Sequence, residues 1–159
     1  MVDMDEDLRR IRAVAEYQFG PGSSIALFPE EVKIVHSRNT GRIRHIYLGK
    51  ELLATFRPND GVFTLTIAAA KRLMARVPHL AYTVTVSGDA AEFVSQGKNV
   101  FAKHVICAGE RIRPGDEVVI INEKQGVIGV GKALLLAEEM KEFKVGVAVR
   151  TRRGSETDA

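Results

Sequence analysis

The sequence has a single cysteine, Cys107, among 159 residues. A disulfide framework is excluded, and so is a zinc site built from cysteines. The thiol has no activating neighbour in sequence and reads as buried and structural. No apolar run approaches the roughly 20 residues that span a bilayer. The chain starts Met-Val-Asp-Met-Asp-Glu-Asp, acidic where a signal peptide has a basic start and an apolar stretch. It is therefore expected to be soluble and cytoplasmic, with no membrane attachment. It is too short for a (β/α)₈ barrel, which takes about 250 residues. His36, His45, His79 and His104 are not spaced as metal ligands on a helix would be. There is no Gly-x-Ser-x-Gly elbow. No carboxylate pair stands out for acid–base work, and Glu138-Glu139 reads as a solvated helical turn. No cofactor or metal is implied, and catalysis has no positive support.

What is present is globular, with 45% apolar and 27% charged residues. Asp5 to Gln18 has apolar residues at helical spacing, and Phe19-Gly20-Pro21-Gly22 stops that helix. Strands are predicted next over Glu31–Ser37, Arg42–Leu48 and Leu52–Arg57. The Pro58-Asn59-Asp60-Gly61 turn returns the chain into Val62–Thr66. A helix follows over Thr66–Val77. After about His79 short strands dominate: one around Tyr82–Val86, then Val100–Cys107, Glu117–Ile121, Val127–Leu136 and Lys144–Arg150. A short helix, Asp89–Gln96, interrupts them. Asp89 and Glu92 are spaced for N-terminal capping and Gly97 for a C-terminal stop. The predicted fold class is α+β. A helix–strands–helix module over residues 1–80 precedes a small β-barrel module over 81–153. A flexible tail is expected over 154–159.

Charge is unevenly placed. Residues 1–80 hold 12 Lys/Arg against 9 Asp/Glu, and residues 81–159 hold 11 of each. Between 32 and 58, Lys33, Arg38, Arg42, Arg44, Lys50 and Arg57 face only Glu51. Arginine's planar fork suits phosphate, so a surface tracking a nucleic-acid backbone would look like this. A solvated sheet face would look the same. Gly126–Ala133 nearly fits a phosphate-binding loop, but Ala133 replaces the hydroxyl that holds Mg²⁺ and the stretch reads as a strand. Gly97-Lys98-Asn99-Val100-Phe101-Ala102-Lys103 couples a helix-ending glycine to two lysines. Spacing alone leaves it either a close-approach site or a helix cap before an amphipathic strand.

Several stretches together resemble a known family. Phe93-Val94-x-x-Gly97-Lys98-x-Val100-Phe101-Ala102-Lys103 is the first. Ile112-Arg113-Pro114-Gly115-Asp116-Glu117-Val118, Gly129-x-Gly131-Lys132-Ala133, Glu139-Met140 and Gly146-Val147-Ala148-Val149-Arg150 follow in order. From about 82 to 153 the chain resembles a PUA domain, the pseudo-barrel of pseudouridine synthases and archaeosine transglycosylases. Tyr17-Gln18-Phe19-Gly20, Ser37 to Arg44 and Asp60-Gly61-x-Phe63-x-Leu65 resemble the domain that precedes PUA in archaeosine tRNA-guanine transglycosylase.

The resemblance implies RNA binding, with tRNA as the partner. It assigns RNA contact to Gly97, Lys98, Val100, Lys103 and Arg150 in the second module, and to Arg38, Arg42 and Arg44 in the first. The family's catalytic barrel, aspartate nucleophile and Cys/His zinc site find no room here. The chain is thus expected not to be an enzyme by itself. It is read as the non-catalytic subunit of a split archaeosine transglycosylase. The alternative is a free-standing PUA protein of ribosome biogenesis, translation or RNA quality control. A catalytic transglycosylase partner and a homo-oligomer both stay open. His104 stands where the family has an apolar or aromatic residue.

Overall fold

Helix α1 (Met4–Phe19) opens the described chain, residues 4–157 of a computed structural model. Residues 1–3, part of the acidic start, and residues 158–159, the end of the expected tail, lie outside the described residues. The chain divides into two compact units, Met1–His79 and Leu80–Ala159.

In the first unit, Ile11, Ala15 and Phe19 are buried at four-residue spacing along α1. Asp5, Glu6 and Asp7 occupy its first turn, where the helix dipole favours them. Gly20, at φ 97°, ends it. A second short helix, α2 (Ser23–Leu27), follows where the sequence reading moves directly to strands. Its start is capped from outside. The Glu16 carboxylate accepts the Gly22 and Ser24 N–H groups at 3.3 and 2.8 Å and the Ser23 hydroxyl at 3.2 Å.

Strands β1 (Lys33–His36), β2 (Ile43–Leu48), β3 (Glu51–Phe56) and β4 (Phe63–Leu65) form an antiparallel sheet in that order. Ile34, Ile46, Ala54 and Leu65 lie opposite one another in one row, and all four are buried. The next row, Val35, His45, Thr55 and Thr64, is half-buried throughout. That alternation is what a sheet with one covered face produces. Helix α3 (Ile67–Arg76) begins at Thr66, whose hydroxyl accepts the Ala69 N–H at 3.2 Å. The edge of β4 is closed by Gln18, whose amide exchanges two 2.8 Å hydrogen bonds with the Phe63 backbone.

The second unit contains β5 (Thr83–Val86), α4 (Gly88–Ser95), β6 (Val100–Phe101), a 3₁₀ turn (Ala102–His104) and β7 (Val105–Ala108). Then come β8 (Glu117–Ile121), β9 (Val127–Ala133), α5 (Ala137–Glu142) and β10 (Val147–Gly154). The sheet order is β6-β10-β9-β8-β5-β7, and only the β5–β8 pair is parallel. The two outermost strands, β6 and β7, are joined by three residues alone. Such a short link forces the sheet to curl until its edges nearly meet, giving a nearly closed barrel around Val84, Val86, Val118, Ile120 and Val149.

Several expectations are corrected here. Val100–Cys107 is two strands, not one, because its halves pair with opposite edges of the curled sheet. Cys107 is exposed, not buried. The β5–β7 register skips Ile106 between Val86↔Val105 and Thr85↔Cys107, and that bulge turns Ile106 and Cys107 outward. The capping pattern of Asp89 and Glu92 is not formed; Ser87 precedes α4 and makes no side-chain cap. Glu139 is not simply solvated, since it accepts the Leu136 N–H at 2.9 Å and starts α5. The last strand runs on to Gly154. Beyond it, the Ser155 and Glu156 N–H groups bond Ile128 O and Ser95 O at 2.9 and 2.8 Å, within the stretch expected to be a free tail.

Candidate nucleic-acid interface

In the second unit, α4 ends in a Schellman arrangement. The Gly97 N–H bonds Val94 O at 2.9 Å and the Lys98 N–H bonds Phe93 O at 3.0 Å. Gly97 sits at φ 94°, a conformation that side chains other than glycine's resist. The chain thereby turns at once into β6 and brings Lys98 and Asn99 beside the outer side of α4.

A cleft of about 380 Å³ opens there, lined by Ala90, Phe93, Lys98, Asn99, Phe101, Lys103 and His104. Phe93 and Phe101 are 59% and 46% exposed, and the Phe101 and His104 rings meet edge-on at 6.4 Å. Asn99 Oδ1 already accepts the Thr151 N–H at 3.1 Å, which leaves its NH₂ group to donate. Lys98, Lys103 and Asn99 are therefore donors around aromatic walls, and no carboxylate lines the cleft. This set suits an anionic, acceptor-rich ligand with a flat ring.

Of the residues expected to contact RNA in this unit, Lys98 and Lys103 line the cleft and Gly97 shapes its rim. Val100 is fully buried in the barrel core. Arg150 is exposed on β10 opposite Lys132, outside the cleft lining. Phe93, Phe101, Asn99 and His104 were missed as site residues. A signal existed for Phe93, because Ala90 and Val94 define the buried stripe of α4 and Phe93 falls off it.

In the first unit, Arg38 and Arg42 lie in the loop between β1 and β2. That loop is tied by the Ser37 N–H to Arg42 O at 2.7 Å and the Gly41 N–H to Ser37 O at 2.9 Å. The β1–β2 register passes from His36↔Ile43 to Val35↔His45, leaving Arg44 as the extra residue of a bulge. All three arginines are exposed, and none forms an ion pair among the described residues. Arg57, from the same basic stretch, is instead paired with Asp60, its Nε 3.1 Å from Oδ1. His36 Nε2 lies 2.9 Å from Asp7 Oδ2.

The glycine-rich stretch ending at Ala133 is strand β9, not a phosphate loop. Gly131 is needed because a Cβ there would stand 2.3 Å from Arg150 O. Among the described residues, no group of three or more His, Cys, Asp or Glu side chains is placed to hold a metal ion. No helix of the described residues is long and apolar enough to cross a membrane.

Residues 9–79 match the family described as the patch-forming domain C2 of tRNA-guanine transglycosylase, and residues 82–155 match the PUA domain. The tRNA-guanine(15) transglycosylase of Methanothermobacter thermautotrophicus is 46% identical over 149 residues, 94% of this chain and 23% of that protein. That of Thermococcus onnurineus is 47% identical over 146 residues, 92% of this chain and 25% of that protein. The chain thus spans about a quarter of the length of these relatives. Among solved structures, a hypothetical protein of Pyrococcus horikoshii superposes with a TM-score of 0.76 at 22% identity, covering 99% of this chain and 98% of that one. A PUA-domain protein of Thermoplasma acidophilum superposes with a TM-score of 0.66 at 20% identity, covering 96% and 91%.

Proposed function

This chain is a PUA-domain protein that resembles the C-terminal region of archaeosine tRNA-guanine transglycosylase, and on that premise we propose that it holds tRNA for a transglycosylase catalytic module, as the non-catalytic part of a split enzyme. The observation that carries the reading is the cleft beside Gly97. It joins two exposed phenylalanines to Lys98 and Lys103 in the segment matched to the PUA domain. Aromatic faces hold an unstacked base, and the lysines neutralise its phosphates. Arg38, Arg42 and Arg44 supply further phosphate contacts from the first unit. Arg150 adds one on β10, while buried Val100 and φ-positive Gly97 set the backbone that the RNA approaches.

Affinity capture of the full chain from native lysate, with and without RNase, tests this. Co-recovery of tRNA and a transglycosylase catalytic chain is the expected result. Failure of the two proteins to associate, both with and without tRNA, overturns the split-enzyme reading. A free-standing RNA-binding role in ribosome biogenesis, translation or RNA quality control is the second reading. It is favoured by the Pyrococcus horikoshii chain, nearly all of which is this same two-unit fold. Recovery of ribosomal RNA and ribosomal proteins would select it.

The arginines make a quantitative prediction. The slope of log affinity against log salt should fall by about 0.7–0.9 for each phosphate that is no longer neutralised. Arg42→Ala and Arg44→Ala together should flatten the slope accordingly in a fluorescence-anisotropy titration. An unchanged slope means that these side chains face away from RNA.

A further inference from the structure

The sheet of the first unit buries one face and leaves the other partly exposed. Opposite the buried row of Ile34, Ile46, Ala54 and Leu65, two rows share the partly exposed face. One is Lys33, Tyr47 and Leu52; the other is Val35, His45, Thr55 and Thr64. β2 is an inner strand, so His45 and Tyr47 stand in the middle of this face and not at its rim. Their rings are 6.3 Å apart and tilted by 58°. His45 Nδ1 is held 3.2 Å from Thr55 Oγ1, which fixes that ring.

We propose that this partly exposed face, centred on Tyr47 and His45, is a stacking platform for unpaired nucleotides of an RNA strand. The inference rests on the RNA-binding reading above and deepens it by naming which kind of RNA the first unit takes.

Charge selects the occupant. Lys33 stands on the face, Arg44 projects from the bulge beside His45, and Arg38 and Arg42 border it in the adjoining loop. Glu51 is the only acidic residue between 32 and 58. A polyanion is favoured there, and an acidic protein would satisfy that much. A protein partner would also want large exposed apolar side chains on the face. In this unit the two prominent ones, Tyr17 at 85% and Ile25 at 57% exposure, are on α1 and α2 instead. Aromatic rings among cations and threonines fit nucleotides better. Duplex RNA hides its base faces in its own stack and is read by shape and phosphate, so only an unpaired base can meet these rings.

The test uses the full chain with a fluorescein-labelled oligoadenylate and a fluorescein-labelled blunt RNA duplex of equal length. Tyr47→Ala should weaken oligoadenylate binding by at least about fivefold, the low end of what losing one stacked base does. Its duplex affinity should change by less than about twofold. Tyr47→Phe should restore oligoadenylate binding. The chain has no tryptophan and three tyrosines, so its intrinsic emission reports tyrosine directly. Oligoadenylate should quench that emission in the wild type and far less in Tyr47→Phe, a signature that a packing role would not give. Equal loss on both RNAs, no loss on either, or failure of phenylalanine to rescue overturns the proposal. If arginine substitution flattens the salt dependence while Tyr47→Ala changes nothing, this inference alone falls. If the wild type binds neither RNA, the RNA-binding reading falls with it.

Discussion

A methyl group at position 131 would meet backbone, not a side chain that could swing aside. A Cβ on Gly131 would be 2.3 Å from Arg150 O and 2.9 Å from Thr151 Cα. β9 and β10 would have to part for it. Gly131→Ala should therefore lower stability by about 1–3 kcal/mol, the usual cost of overpacking, read as a lowered denaturant midpoint. Glu16 is a second residue whose work is set by its surroundings. The Ser24 N–H bond holds its carboxyl below the ordinary 4.5, against desolvation, with smaller help from the Ser24 side chain, the Gly22 N–H and the Ser23 side chain. A depressed carboxylate stabilises the fold above its unfolded value and loses that contribution as pH falls through its folded value. Glu16→Gln should thus be less stable than the wild type at neutral pH. The difference should shrink as the solution is acidified below 4.5. Thermal unfolding of both proteins across that range measures it.

Local patterns found most elements here and failed where the deciding partner is distant in sequence. The first helix, the Asp60-Gly61 hairpin and the helix that follows it were legible because periodicity and turn chemistry act within a few residues. Helix α2 was not, because its cap is Glu16, on the preceding helix. The break between β6 and β7 was not, because one strand pairs with β10 and the other with β5. The last strand was read short for the same reason. It continues past Arg150 because Thr151, Arg153 and Gly154 pair with Gly131, Val130 and Gly129 of β9, while Arg152 forks onto the Glu117 carboxylate of β8, with Nη1 2.7 Å from Oε1. The Glu117 side chain is 0% exposed. Removing the guanidinium leaves a buried charge short of its counter-ion, so Arg152→Ala should cost about 3–5 kcal/mol. The melting temperature should fall clearly. A shift within the error of the scan would mean that Glu117 is satisfied by its other contacts.

At the scale of the whole molecule, two surfaces with different characters share one chain. The first unit carries the charge excess, 12 Lys/Arg against 9 Asp/Glu over residues 1–80, and the second is balanced at 11 of each over 81–159. The arginines were legible as a charge run. Lys98 and Lys103 were legible as a motif. The phenylalanines of the cleft were not picked out, because an exposed aromatic has no local marker beyond falling off a buried stripe. If the reading of both surfaces holds, their contributions to RNA binding separate by salt. Residues 1–79 alone should bind RNA with a steep salt dependence, since phosphate neutralisation supplies most of the affinity, and should favour a single strand over a blunt duplex through the Tyr47 face. Residues 80–159 alone should bind with a shallow slope and prefer RNA bearing an unpaired end over a blunt duplex. The full chain should exceed both by far more than their simple average. Once one unit is bound, the other is presented at an effective concentration that is about millimolar for short connections. Anisotropy titrations of the three proteins across a salt series measure all of this, with circular dichroism showing that each half is folded. No binding by residues 1–79 would mean that the charge excess of the first unit faces solvent and that RNA is held by the cleft alone, and equal slopes would mean that the two halves neutralise equal numbers of phosphates.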